Sequence, residues 1–149
     1  MKQIVVAATA MTMLAACVQA PVVADAPGDA QNECYRNYVV EGTPGMSNMN
    51  FRTWRDFPSL VDQQRALNNL RSAMMAEGFS NITLDASAGA LTAVQPHTIA
   101  GREPVLRVSA RRIGSGTRVD AVFMLKLGQT SDATTVRRNI CRVVDAANL

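Results

Sequence analysis

One stretch of this chain fits a single strand register. Leu106, Val108 and Ala110 alternate with Arg107, Ser109 and Arg111, and after Gly114-Ser115-Gly116 the residues Val119, Ala121, Phe123 and Leu125 alternate again. Period-two alternation marks strands with one buried face, and a two-residue loop containing glycine marks a tight hairpin. With Gly114-Ser115 as the turn, Leu106 faces Phe123, Val108 faces Ala121 and Ala110 faces Val119, so apolar residues meet at every pair. A slip by one residue would turn all of them to solvent.

The flanking segments supply partners for that buried face. Ile82 and Leu84 alternate around Thr83, and Leu91 and Ala93 around Thr92, with Asp85-Ala86-Ser87-Ala88-Gly89 between them, which predicts a second hairpin. Over 58–77, Leu60, Leu67, Leu70 and Met74 recur at helical spacing, with Pro58 suited to the first turn and Gly78 to the stop. Ser131 or Asp132 can cap a last helix carrying Val136, Ile140, Val143 and Ala147 on one side. Helix, hairpin, hairpin, helix predicts a two-layer α+β domain in which two helices cover one face of a four-stranded antiparallel sheet. The order helix, Gly78-Phe79, strand, glycine turn, strand loosely resembles the helix-grip domains of outer-membrane assembly lipoproteins over about fifty residues. No functional residue carries over from that resemblance.

The first residues carry an address. Lys2 precedes the apolar run from Ile4 to Leu14, and Ala15-Ala16 lead into Cys17. This reads as a secretory signal over 1–16, too short for a permanent membrane span. Leu14-Ala15-Ala16-Cys17 resembles the lipobox of bacterial lipoproteins. That resemblance implies diacylglycerol on the Cys17 sulfur and a palmitate-type acyl chain on its new amino group, which together hold a protein at a bilayer without crossing it. Cleavage after Ala20 is the alternative, and either reading exports the chain. Val18 stands where Asp would retain an enteric lipoprotein at the inner membrane, so the resemblance implies the outer membrane, facing the periplasm. The segment 17–33, with Pro21 and Pro27 and few large apolar residues, reads as lipidated cysteine and flexible tether, and 34–149 as one periplasmic domain. The sixteen residues 18–33 reach roughly 55 Å when stretched.

Lipidation of Cys17 leaves Cys34 and Cys141. Two thiols in an oxidising compartment predict a structural disulfide, and neither a C-x-x-C spacing nor an adjacent histidine points to a redox or metal role.

No enzyme signature survives inspection. His97, the one histidine, sits in the loop-like Pro96-His97-Thr98. Gly114-x-Gly116 lacks the lysine and the strand-to-helix setting of a phosphate loop. Asp56, Asp62, Glu77, Asp85, Glu103, Asp120, Asp132 and Asp145 are scattered without metal-site spacing, and no cofactor is expected. The net charge of +3 comes from 15 basic and 12 acidic residues distributed along the chain, which does not suit bulk nucleic-acid binding.

Two features stand out as partner-binding candidates. The hairpin around Gly114-Ser115 puts Arg111 opposite Arg118 on its outward side with Arg107 and Asp120 nearby, a like-charge juxtaposition that reads as a basic platform for an anionic glycan, lipid headgroups or an acidic partner. A solvated face partly neutralised by Asp120, or one whose arginines pair elsewhere, is the alternative. Phe51-Arg52-Thr53-Trp54-Arg55-Asp56-Phe57 gathers aromatics with arginine, the residues enriched at interface hot spots; Trp54 and Arg55 are its candidates, and pinning of a long loop to the core is the alternative. The expectation is a lipid-anchored, non-catalytic accessory of an outer-membrane assembly, contacting the membrane through its anchor and an envelope protein through one of these surfaces. A binder of a soluble target such as lysozyme is the alternative.

Overall fold

The computed structural model describes residues 29–59, 62–96 and 102–149. Their order is α1 (Glu33–Arg36), β1 (Val39–Glu41), β2 (Met49–Phe57), α2 (Gln63–Ala76), β3 (Ser80–Asp85), β4 (Ala90–Val94), β5 (Val105–Ile113), β6 (Gly116–Leu125) and α3 (Ala133–Asp145). The strands form one antiparallel sheet in the order β1-β2-β6-β5-β4-β3. The fold is α+β as predicted, but the sheet has six strands instead of four.

The two additional strands lie where the chain reads as an aromatic segment before a helix. On β2, Met49, Phe51, Thr53 and Phe57 are buried while Asn50, Arg52, Trp54 and Asp56 look the other way. Two polar residues interrupt the inward side and hide the alternation. The Thr53 hydroxyl donates to the carbonyl of Cys34, and Arg55 ion-pairs with Asp145 at 2.6 Å. Strand β1 is three residues long with no buried side chain, so it has no periodicity to read.

The hairpin register holds residue by residue. Leu106 pairs with Phe123, Val108 with Ala121, Ala110 with Val119 and Arg111 with Arg118. Gly114, at φ +54°, supplies the left-handed residue that such a two-residue turn requires at its first position. The β3–β4 hairpin also forms, with Leu84 opposite Leu91, although Leu84 is 47% exposed because β3 is an edge strand. A register shift between Ser80 and Thr83, with Asn81 at φ +51°, bends that edge.

The helices differ from expectation mainly at their starts. Helix α2 begins at Gln63, capped by the Asp62 side chain on the Arg65 N–H, so Pro58 belongs to the preceding turn and not to the helix. Leu60 lies outside the described residues. At the other end Gly78 N–H bonds Met75 O and Phe79 N–H bonds Met74 O, the glycine-terminated stop predicted there. Asp132 caps α3 through the Thr135 N–H, and Ala147 is buried in a 3-10 turn after the helix ends. Ala66, Leu67, Leu70 and Met74 of α2 meet Val136, Ile140, Val143 and Val144 of α3 above the apolar face of the sheet. Full burial of such Leu and Val side chains stabilises the fold by about 1.5–3 kcal/mol each.

Cys34 and Cys141 are bonded, with Cα atoms 5.7 Å apart and a sequence separation of 107. Residues 29–33, within the expected tether, take part in the fold. Asp29–Gln31 form a 3-10 turn, and Asn32 caps α1 while its amide donates to Asp145 Oδ2 at 2.6 Å. The signal segment and Cys17 lie outside the described residues.

Candidate functional site

Helices α2 and α3 cover one face of the sheet; the opposite face carries the charged residues. Its side chains fall into cross-strand rows dictated by the register. Asp56, Arg118 and Arg111 form one row, and Trp54, Asp120 and Ser109 the next. Val39, Arg52, Val122, Arg107 and Thr92 form a third. Both surface features singled out in the sequence therefore converge on a single face, because β2 pairs directly with β6.

The opposed arginines are reconciled by turning to different carboxylates, Arg118 straight across to Asp56 and Arg111 along a diagonal to Asp120. Arg118 Nε and Nη2 donate to the two oxygens of Asp56 at 2.6 and 2.7 Å, a forked pair with fixed geometry. Arg111 Nε turns instead to Asp120 Oδ2 at 3.2 Å, and Arg52 Nε to Glu41 Oε2 at 3.2 Å. Four arginines, 52, 107, 111 and 118, thus share this side with Glu41, Asp56, Asp120 and, at its margin, Asp85. The expected basic platform is a charge-balanced ladder. Hydrogen bonding from Arg118 holds the Asp56 carboxyl below the usual range, which makes it a poor proton acceptor at neutral pH.

Trp54 is clamped in place from three directions. The Arg118 guanidinium stacks 4.0 Å from the ring centroid. Strand β1 reaches only as far as Arg52, and beyond it α1 takes over the free edge of β2. Asn37 Nδ2 donates to Trp54 O at 3.1 Å, and Glu33 Oε2 accepts from Asp56 N–H at 2.9 Å. The disulfide fastens α1 in turn to α3. Beside the ring runs a groove of about 280 Å³ lined by Asn37, Val39, Glu41, Arg52, Trp54, Asp120 and Val122 among others.

The remaining sequence candidates are placed as follows. Arg55 faces the helices, bonded to Asp145 and stacked 4.9 Å over Phe57, so it does not join Trp54. Phe51 and Phe57 are in the core while Trp54 is half-buried on the open face, so the aromatic segment is divided between packing and surface. Arg107 is exposed on the same face but does not line the groove. His97 lies outside the described residues. Asp120 stands beside the arginines as the sequence places it, whereas Asn37, Glu41 and Arg52 are not singled out by sequence, and the signal that brings Arg52 to this face is the Phe51 to Phe123 register of β2 on β6. A second hollow of about 120 Å³ lies on the helix side, floored by Phe79, Phe123, Val136 and Ile140. Among the described residues no three His, Cys, Asp or Glu side chains gather as a metal cluster, and no helix is long and apolar enough to cross a membrane.

No protein-family model and no curated protein matches the chain. Among solved structures, CalU16 from Micromonospora echinospora is similar at a TM-score of 0.45 and 10% identity, over 74% of this chain and 81% of that one.

Proposed function

We propose that this protein is a lipid-anchored envelope component, tethered through Cys17 at the outer membrane on the periplasmic side, that acts as a non-catalytic interaction domain. The observation that carries the reading is the Cys34–Cys141 disulfide. Such a bond persists in oxidising compartments, and it leaves Cys17, at the end of the lipobox-like Leu14-Ala15-Ala16-Cys17, as the one cysteine for acylation. The open sheet face supports recognition over catalysis. Its carboxylates are engaged by arginines, and the resulting rigid surface is suited to binding a partner with little ordering cost.

Mass spectrometry of the mature protein tests the anchor. The expected result is an N-terminal Cys17 bearing lipid mass, and loss of that mass in Cys17→Ser. A mature chain starting after Ala20 with no acyl mass overturns it. Purification from solubilised envelopes tests the role: a stable membrane partner is expected, whereas a lone monomer that blocks lysozyme assigns the chain to the soluble-target alternative.

A further inference from the structure

The groove beside Trp54 combines an aromatic wall with planar polar groups that keep unused hydrogen-bonding capacity. Asn37 is engaged through Nδ2, Arg52 through Nε, Glu41 through Oε2 and Asp120 through Oδ2. The Asn37 and Asp120 Oδ1 atoms, Glu41 Oε1 and the two terminal nitrogens of Arg52 remain for a ligand. Val39, which is 54% exposed, and Val122 add apolar surface on the same row. Arg118 does not line the groove, so its stacking fixes the indole without filling the space beside it.

These features match the two-sided chemistry of a pyranose ring. A sugar presents a face of C–H groups, which suits the negative face of an aromatic ring, and a rim of hydroxyls that exchange paired hydrogen bonds with carboxylates, amides and guanidinium groups. About 280 Å³ lies at the lower edge of small-molecule sites, enough for about one sugar unit with its substituents. Charge narrows the class. Each rim carboxylate is already paired with an arginine, Glu41 with Arg52 and Asp120 with Arg111, so the groove offers no excess positive charge to an anionic glycan or a phosphate and suits a neutral one. Val39 and Val122 give apolar surface suited to an acetamido methyl group.

We propose that this groove binds an N-acetylated amino-sugar unit of an envelope glycan chain. The inference rests on the exported reading only for what brings the groove to such a glycan. An extended peptide strand fits less well, since the open edge beside the groove is the three-residue β1.

Trp54 is the one tryptophan, so its emission reports on this site. The test titrates the full-length protein, in a sugar-free zwitterionic detergent, with a β-1,4-linked tetramer of N-acetylglucosamine. A saturable emission change is expected, with Asp120→Asn and the exposed-site Val39→Arg each weakening binding about tenfold or more and Arg107→Gln leaving it unchanged. Circular dichroism confirms that the variants fold. Trp54→Ala, followed by calorimetry, is expected to abolish binding, and the Val39→Arg result stands independently should that variant unfold. No saturable response, wild-type binding by both groove variants, or an equal response to an oligogalacturonate overturns the proposal. So does photo-crosslinking from position 52 in intact envelopes that captures a polypeptide and no glycan. Failure here is separable from failure of the anchor, because the titration is indifferent to lipid on Cys17.

Discussion

Arg118 holds its guanidinium carbon 4.0 Å from the centroid of the Trp54 ring. The same guanidinium is forked onto Asp56, so one side chain ties the aromatic residue of one strand to the charge ladder of the next. Arg118→Gln is expected to red-shift Trp54 emission, as the ring loses its cover, and to lower stability by about 1 kcal/mol, the upper range for a partly exposed pair. Arg118→Lys keeps the charge but cannot fork or stack as a plane, so it should recover only part of the loss. Arg107→Gln, on the same face, should leave both readouts unchanged. Denaturant unfolding monitored by fluorescence checks all three.

Acid should act on the same pair. Hydrogen bonding from Arg118 lowers the Asp56 pKa, and hydrogen bonds from the Thr135 side chain and backbone N–H lower that of the capping Asp132. A carboxyl with a depressed folded-state pKa contributes stability that is complete above its unfolded value, near 4, and disappears as pH falls through the folded value. Stability is therefore expected to be level near neutrality and to decline below about pH 5. Arg118→Gln should flatten part of that decline, because it returns Asp56 toward its unfolded pKa. Asp132→Asn should flatten a separate part. Thermal melts of the three proteins from neutral to acidic pH measure both effects.

The disulfide should reach further than its own loop. By chain entropy, closing about 107 residues stabilises a fold by about 4 to 5 kcal/mol, so the Cys34→Ser, Cys141→Ser double variant should melt on the order of 15 °C lower. Releasing Cys34 also loosens α1, whose Glu33 and Asn37 clamp Asp56 and Trp54. A shift in Trp54 emission in the folded double variant is the expected signature. An unshifted emission would mean that α1 holds its place without the bond.

Much of this architecture is legible in the sequence. The β5–β6 register can be read because both strands alternate without interruption and glycine marks the turn, and the disulfide because the lipobox-like setting of Cys17 sets one of three cysteines apart. Strand β2 cannot, since Thr53 and Arg55 occupy inward positions and find their partners on α1 and α3, about 20 and 90 residues away. Periodicity registers only apolar residues, so a polar residue satisfied by a distant element looks like a break. The site inherits that blindness. Trp54 is visible as an aromatic among arginines, but its placement beside Asp120 and Arg118 depends on β2 meeting β6, a pairing between the two ends of the domain.

That long-range pairing leaves no room for a side chain at Gly116, where β6 begins. A Cβ built there would stand 2.4 Å from the Phe57 carbonyl oxygen and 2.8 Å from the Pro58 Cα, both main-chain atoms of the chain leaving β2. Neither can rotate away as a side-chain tip could, so relief requires the strands to separate at the Phe57–Thr117 pair. Gly114, two residues earlier, is constrained differently: its φ is +54° and nothing stands within 4 Å of an added Cβ, so its requirement is conformational, not spatial. Gly116→Ala is therefore expected to cost about 1–3 kcal/mol through overpacking, and Gly114→Asn less than about 1 kcal/mol, because asparagine tolerates the left-handed region. Gly114→Val, β-branched at positive φ, should be worse than Gly114→Asn. Chemical denaturation of the three variants gives the order. Equal losses for Gly116→Ala and Gly114→Asn would show that the end of β2 can move off β6 freely, and would undercut the rigid face on which Trp54 and Asp56 are held.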